Sequence, residues 1–146
     1  MSWLVHCALA ALLAPLQEPA PTRRLTAAPD RRVELDLQHY YTAQDLLRAL
    51  RTLESAYPEF LRLESLGTSS GGDELWVMTV AKLERGDPLT RPAVFVAGAL
   101  GQGDLFGTEM ALATIIDVVQ DHARDAAARE LLERCVLYVA PCVNPD

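Results

Sequence analysis

Two uncharged runs, Ala93-Val94-Phe95-Val96-Ala97 and Cys135-Val136-Leu137-Tyr138-Val139-Ala140, constrain the fold more than anything else in this chain. A continuous apolar run of that length reads as a strand buried on both faces, because a half-exposed strand would alternate with polar residues. Between the runs, a helix opens near Gly107-Thr108 and carries Ala111, Leu112, Ile115, Ile116 and Val119 on one face, and residues 126–132 continue helically. Two buried strands joined through a helical crossover belong to an α/β sheet, since parallel neighbours need such a connection.

The preceding residues add an antiparallel element. Leu61-Arg62-Leu63-Glu64-Ser65-Leu66 alternates apolar and polar, and Gly67 to Asp73 supplies turn residues. Leu75-Trp76-Val77-Met78-Thr79-Val80 reads as the returning strand of a hairpin. Earlier still, Leu46, Leu47, Leu50 and Leu53 recur at helical spacing. Thr42 with Asp45 three residues on forms a capping-box-like start, and Pro58 stops the helix. Asp45, Glu54 and Glu59 read as its solvated face and end, and Trp76 and Tyr138 as core. The implied fold class is α/β with a mixed, mainly buried sheet.

The N-terminus has another character. Residues 3–16 are an apolar run too short to span a bilayer but suited to a signal peptide, which we place at about residues 1–20. Residues 21–32 are rich in Pro, Ala and charge without periodicity and read as a linker. The folded part is then 33–146, and the expected location is exported, periplasmic or extracellular. No later stretch is long and apolar enough to span a membrane. Cys135 and Cys142 lie seven residues apart, roughly 23 Å in an extended chain, so a disulfide between them is not expected and buried thiols are. A formal net charge of −7, with no local Lys/Arg cluster, argues against nucleic-acid binding.

Several short segments, taken in order, resemble the zinc metallocarboxypeptidases. They are Tyr40-Tyr41-Thr42, Tyr57-Pro58, Leu63-Glu64-Ser65-Leu66-Gly67, Leu75-Trp76-Val77, Val96-Ala97-Gly98, Gly107-Thr108-Glu109 and Asn144-Pro145-Asp146. The resemblance implies a three-layer α/β/α domain around an eight-stranded mixed sheet, of which this is the N-terminal part. It implies zinc as cofactor, peptide C-termini as partners, and hydrolytic removal of C-terminal residues by a zinc-activated water. In that family a His-x-x-Glu pair after the segment Val96-Ala97-Gly98 ligates the metal. Zinc chemistry needs such donors, an imidazole and a carboxylate holding the ion at about 2.0–2.2 Å with one position open to water.

Here the pair is altered. The His position falls on Gly101, which cannot ligate, and the Glu position on Asp104, a weak metal candidate one methylene shorter. His6 lies in the signal, His39 before the first helix and His122 at the far end of the later one, where solvation is expected. The resemblance places the second zinc histidine, the general base and the carboxylate-holding residues beyond an Asn-Pro-Asp segment, where this chain stops. The expectation is therefore a carboxypeptidase-like domain that is inactive as this chain and holds no tight zinc. Two alternatives stand beside it. One is a non-catalytic peptide-binding pseudoenzyme, and the other a nucleotide-binding domain using Gly101 to Gly107 as a phosphate cradle at a helix start. The bland reading is that the glycines serve only a tight strand-to-helix connection, with Asp104 solvated or capping the helix. With a central strand left unpaired, segment 33–146 is expected to be poorly soluble or oligomeric.

Overall fold

The computed structural model describes residues 33–36, 40–101 and 104–146. The export signal, the linker and His39 therefore lie outside the described residues. Helix α1 (Ala43–Ala56) leads into strands β1 (Leu61–Thr68) and β2 (Glu74–Val80). Then come two single 3-10 turns, strand β3 (Ala93–Ala97), helices α2 (Leu105–Asp121) and α3 (Ala126–Arg134), and strand β4 (Val136–Ala140). The chain is α/β with a mixed sheet, as the alternation of apolar runs and helical periodicity implied.

Strand order is β1-β2-β4-β3. β1 pairs antiparallel with β2, and β2 antiparallel with β4, opposing Thr79 to Tyr138. β4 runs parallel to β3, with Val94 beside Leu137 and Val96 beside Val139. Crossing from β3 to β4 requires the α2–α3 connection, because parallel neighbours cannot be joined by a tight turn.

One cluster holds these elements together. Leu46, Leu50 and Leu53 of α1, Leu112, Ile115 and Val119 of α2, and Leu132 of α3 pack with Met78, Val80, Leu137 and Val139 from the sheet. Strand side chains alternate between faces. Val77, Thr79, Val136 and Tyr138 therefore point away from that cluster, Thr79 donating to Glu64 Oε2 at 3.2 Å.

Helix α1 starts as its sequence dictates: the Asp45 N–H donates to Thr42 Oγ1 at 3.2 Å and the Thr42 hydroxyl donates to Asp45 Oδ2 at 2.6 Å. The helix stops at Ala56, one residue before the position that Pro58 constrains.

Several expectations need correction. β3 is not buried on both faces among the described residues: Val94 is 53% and Phe95 58% exposed, because β3 ends the described strand order and pairs there with β4 alone. β4, with neighbours on both sides, carries the burial expected of both. Residues 126–132 do not continue α2; they form a separate helix after a turn, and Asp125 caps it by accepting from Ala127 N–H at 2.8 Å. Glu54 is not simply solvated, since its carboxylate accepts from Leu63 N–H at 2.8 Å and ties α1 to β1. His122 is half-buried rather than solvated, its ring 4.4 Å from that of Phe60 and its Nδ1 2.6 Å from Val119 O. Cys135 and Cys142 are free and only half-buried. Trp76 packs at the margin of the core, and Tyr138 is half-buried, its hydroxyl lacking a hydrogen-bond partner among the described residues.

Candidate functional site

In open α/β sheets, sites form where strands end at their carboxyl side. Here β3 and β4 end side by side, at Ala97 and Ala140. Their continuations stay together. Gly98 N–H donates to Ala140 O at 2.8 Å, Val143 N–H to Gly98 O at 3.2 Å, and Asn144 N–H to Ala99 O at 3.1 Å. The Asn-Pro-Asp segment is thereby held against the loop that follows β3.

Helix α2 closes on the same loop. A Cβ at Gly98 would lie 2.4 Å from both Gly107 O and Pro141 O, and one at Gly107 would lie 2.4 Å from Ala99 N. Backbone meets backbone there, which only glycine permits. The crowding coincides with Ala99, buried and at φ 42°, the one non-glycine residue with positive φ among the described residues. A residue with a Cβ is strained in that region, and such strain concentrates at functional sites.

Asp104 begins α2. Its carboxylate Oδ1 accepts from Gly107 N–H at 3.1 Å, and its own N–H donates to Gly101 O at 3.0 Å. The side chain is thus a helix cap. That arrangement also works against the phosphate-cradle reading, since a fixed negative charge already occupies the helix start where an anion would bind. Gln102 and Gly103, which complete that loop, lie outside the described residues.

The donor chemistry does not fit zinc. Gly101 contributes no side chain, and Asp104 has an oxygen engaged by the backbone. His122 stands at the opposite end of α2. Among the described residues no group of three His, Cys, Asp or Glu side chains could hold a metal ion.

Glu109, one turn into α2, went unrecognised as more than part of a motif. It is 7% exposed, and neither carboxylate oxygen has a hydrogen-bond partner among the described residues. The signal was present: Glu109 precedes Leu112 by three residues, on the stripe where helical periodicity expects an apolar side chain. The phenol of Tyr41 is pushed above its ordinary pKa, chiefly by burial and further by the negative charges of Asp36, Glu109 and Asp45. The guanidinium of Arg91 is likewise buried without a hydrogen-bond partner.

Asp146 anchors the end of the Asn-Pro-Asp segment in the β1–β2 turn. Its carboxylate accepts from the Ser69 hydroxyl at 2.6 Å, the Ser70 hydroxyl at 3.1 Å and Gly71 N–H at 3.0 Å. Those bonds, Ser69 foremost and then Gly71, hold its carboxyl below the usual range, as the Thr42 hydroxyl does first for Asp45. A depressed folded-state pKa means the unfolded chain takes up protons first as pH falls. These contacts therefore stabilise fully at neutral pH and are lost as pH drops below about 4. Thermal melts should show a declining midpoint across that window, with a shallower decline in Asp146→Asn. An unchanged slope in that variant would show that the anchor is not the titrating contact.

The zinc carboxypeptidase family model matches residues 46–146. The chain belongs to the zinc carboxypeptidase family. Human carboxypeptidase D is 29% identical over 113 residues, covering 77% of this chain and 8% of the relative. Duck (Anas platyrhynchos) carboxypeptidase D is 31% identical over 108 residues, covering 73% and 8%. The Arabidopsis thaliana carboxypeptidase SOL1 is 26% identical over 130 residues, covering 89% and 24%. Among solved structures, thrombin-activatable fibrinolysis inhibitor superposes with a TM-score of 0.68 at 19% identity, over 83% of this chain and 29% of that one. Carboxypeptidase A from Helicoverpa armigera gives 0.66 at 18%, over 82% and 28%. At those identities the structures establish the fold. The zinc carboxypeptidase match thus rests on a segment spanning less than a quarter of its relatives' lengths in each of the three curated cases.

Proposed function

We propose that this chain is a zinc-carboxypeptidase-fold module that neither holds zinc tightly nor hydrolyses peptides itself. The observation that carries this reading is the pair at the end of β3: Gly101 where the family places an imidazole, and Asp104 turned into the cap of α2. Metal-assisted hydrolysis needs several protein donors and an open position for water. Residues beyond Asp146 would not restore a side chain at Gly101. The family activity, removal of C-terminal residues from peptides, supports peptide C-termini as the ligand class for the parent domain. The apolar run at residues 3–16 supports export.

The test is metal content. After dialysis against micromolar zinc, the 146-residue chain should retain less than about 0.1 zinc per molecule and release no C-terminal residue from a model peptide. Asp104→Ala should lower stability by about 1 kcal/mol through loss of the cap and leave zinc content unchanged. One tightly held zinc per chain, lost in Asp104→Ala, would refute the proposal.

A further inference from the structure

We propose that the end of α1 is an autoinhibitory plug on the outer side of β1, with Glu54 occupying the backbone donor through which a second copy of this chain would add its own β1. The inference is independent of the metal reading.

The first observation is where the outward donors of β1 go. Ala81 N–H donates to Phe60 O, so residue 60 turns its polar groups toward β2. By strand alternation Arg62 and Glu64 do the same, and Leu61, Leu63 and Ser65 turn theirs away from β2. Outward N–H groups are what an incoming strand would use. Two of these three are already taken by α1 and its exit. Leu61 N–H donates to Tyr57 O at 2.9 Å, and Leu63 N–H donates to Glu54 Oε1 at 2.8 Å. Further along, past the shift in register between Ser65 and Gly67, Gly67 N–H donates to Ser65 Oγ at 3.1 Å. All three bonds form within residues 54–67, so this side of the sheet is closed by its own neighbourhood in the sequence.

The second observation is that β1 would match itself if the plug were removed. An antiparallel copy with Leu63 opposite Leu63 sets Leu61 opposite Ser65. Each is then a position at which two residues exchange both N–H···O bonds. The same register sets Arg62 opposite Glu64, both of them exposed. Opposite charges across a strand pair attract, so this charged row favours the self-match instead of preventing it. The plug sits on the two-fold axis of that match, at the Leu63 N–H.

The third is the choice of group. An ionised carboxylate accepts hydrogen bonds and has none to donate, so it satisfies the Leu63 N–H strongly and meets the carbonyl of an incoming strand oxygen to oxygen. The side chain is held in place because α1 is anchored on either side of it, by buried Leu50 and Leu53 and by Tyr57.

The test reads β1 alone and is blind to association elsewhere on the molecule. In a Cys7→Ser, Cys135→Ser, Cys142→Ser background of the full chain, Arg62→Cys places two thiols about 7–8 Å apart, at diagonal positions of the self-matched pair. A short bismaleimide should leave that chain unlinked, and should join it into a covalent dimer once Glu54→Ala is added. Glu54→Gln, whose side-chain carbonyl can still accept, should stay unlinked like the parent. Amide exchange reads the plug itself: the Leu63 N–H should exchange about tenfold faster in Glu54→Ala at low concentration, while the Val139 N–H of β4 keeps its rate. Glu54→Met, which keeps the stem and removes the acceptor, takes the place of Glu54→Ala if that variant fails to fold. Linking in the presence of Glu54 overturns the proposal, because the strand would then be open already. A chain that stays unlinked after loss of Glu54, or a Leu63 N–H whose exchange does not change, overturns it too.

Discussion

Gly98→Ala should lower the unfolding free energy by about 3 kcal/mol, toward or beyond the top of the usual overpacking range. The added methyl would need space now held at 2.4 Å by the carbonyl oxygens of Gly107 and Pro141. Neither neighbour is a side chain that can rotate away. Relief requires α2 to lift from the loop or the two strand continuations to part, which endangers the bonds from Val143 to Gly98 and from Asn144 to Ala99. In a domain of this size the loss corresponds to a drop of roughly 10–20 °C in midpoint. Gly101→Ala is the matched control. A Cβ at Gly101 meets nothing within 4 Å, so that variant should melt within a few degrees of the parent. Equal melting of the two variants would show that the close approach is not what requires glycine at 98.

Leu112→Ala should cost about 3 kcal/mol, within the range for removing a fully buried leucine. Leu112 has no exposed surface and lies in the cluster that joins α2 to α1 and the sheet. Its loss leaves a cavity that surrounding backbone can only partly close, because other members of the cluster, Met78, Val80 and Val139, are themselves held in sheet register. Leu89→Ala provides the comparison. Leu89 is 83% exposed, and its truncation should change stability by less than about 0.5 kcal/mol. Urea unfolding of both variants measures the difference. A Leu112→Ala loss below about 1 kcal/mol would mean that α2 is packed more loosely than its burial indicates.

Much of this architecture was legible in the residues. The Thr42–Asp45 cap, the stop before Pro58 and the β1–β2 hairpin each depend on contacts between residues close in sequence, so the local pattern contains its own cause. The family match was legible through short segments whose order survives although their identity is low. Gly101 was legible as a defect because a missing side chain is absent in any fold.

What stayed hidden depends on neighbours distant in sequence. Val94 and Phe95 have the composition of a covered strand, yet β3 comes last in the order of the described strands, and composition carries no record of order. Glu54 reads as a solvated helix residue until β1 brings the Leu63 N–H to it. His122 reads as surface until Phe60 stacks on it. Asp146 is an ordinary acidic residue until the β1–β2 turn surrounds it with donors.

The sequence by itself determined the element types, the family and the absence of an imidazole at residue 101, because helix caps, hydrophobic period and side-chain identity act over a few residues. Only the tertiary structure decided that Asp104 caps α2, that Glu109 is buried with no hydrogen-bond partner among the described residues, and that β3 comes last in the described strand order. Those properties belong to the surroundings of a residue, and surroundings are set by which distant strands and helices the chain brings together.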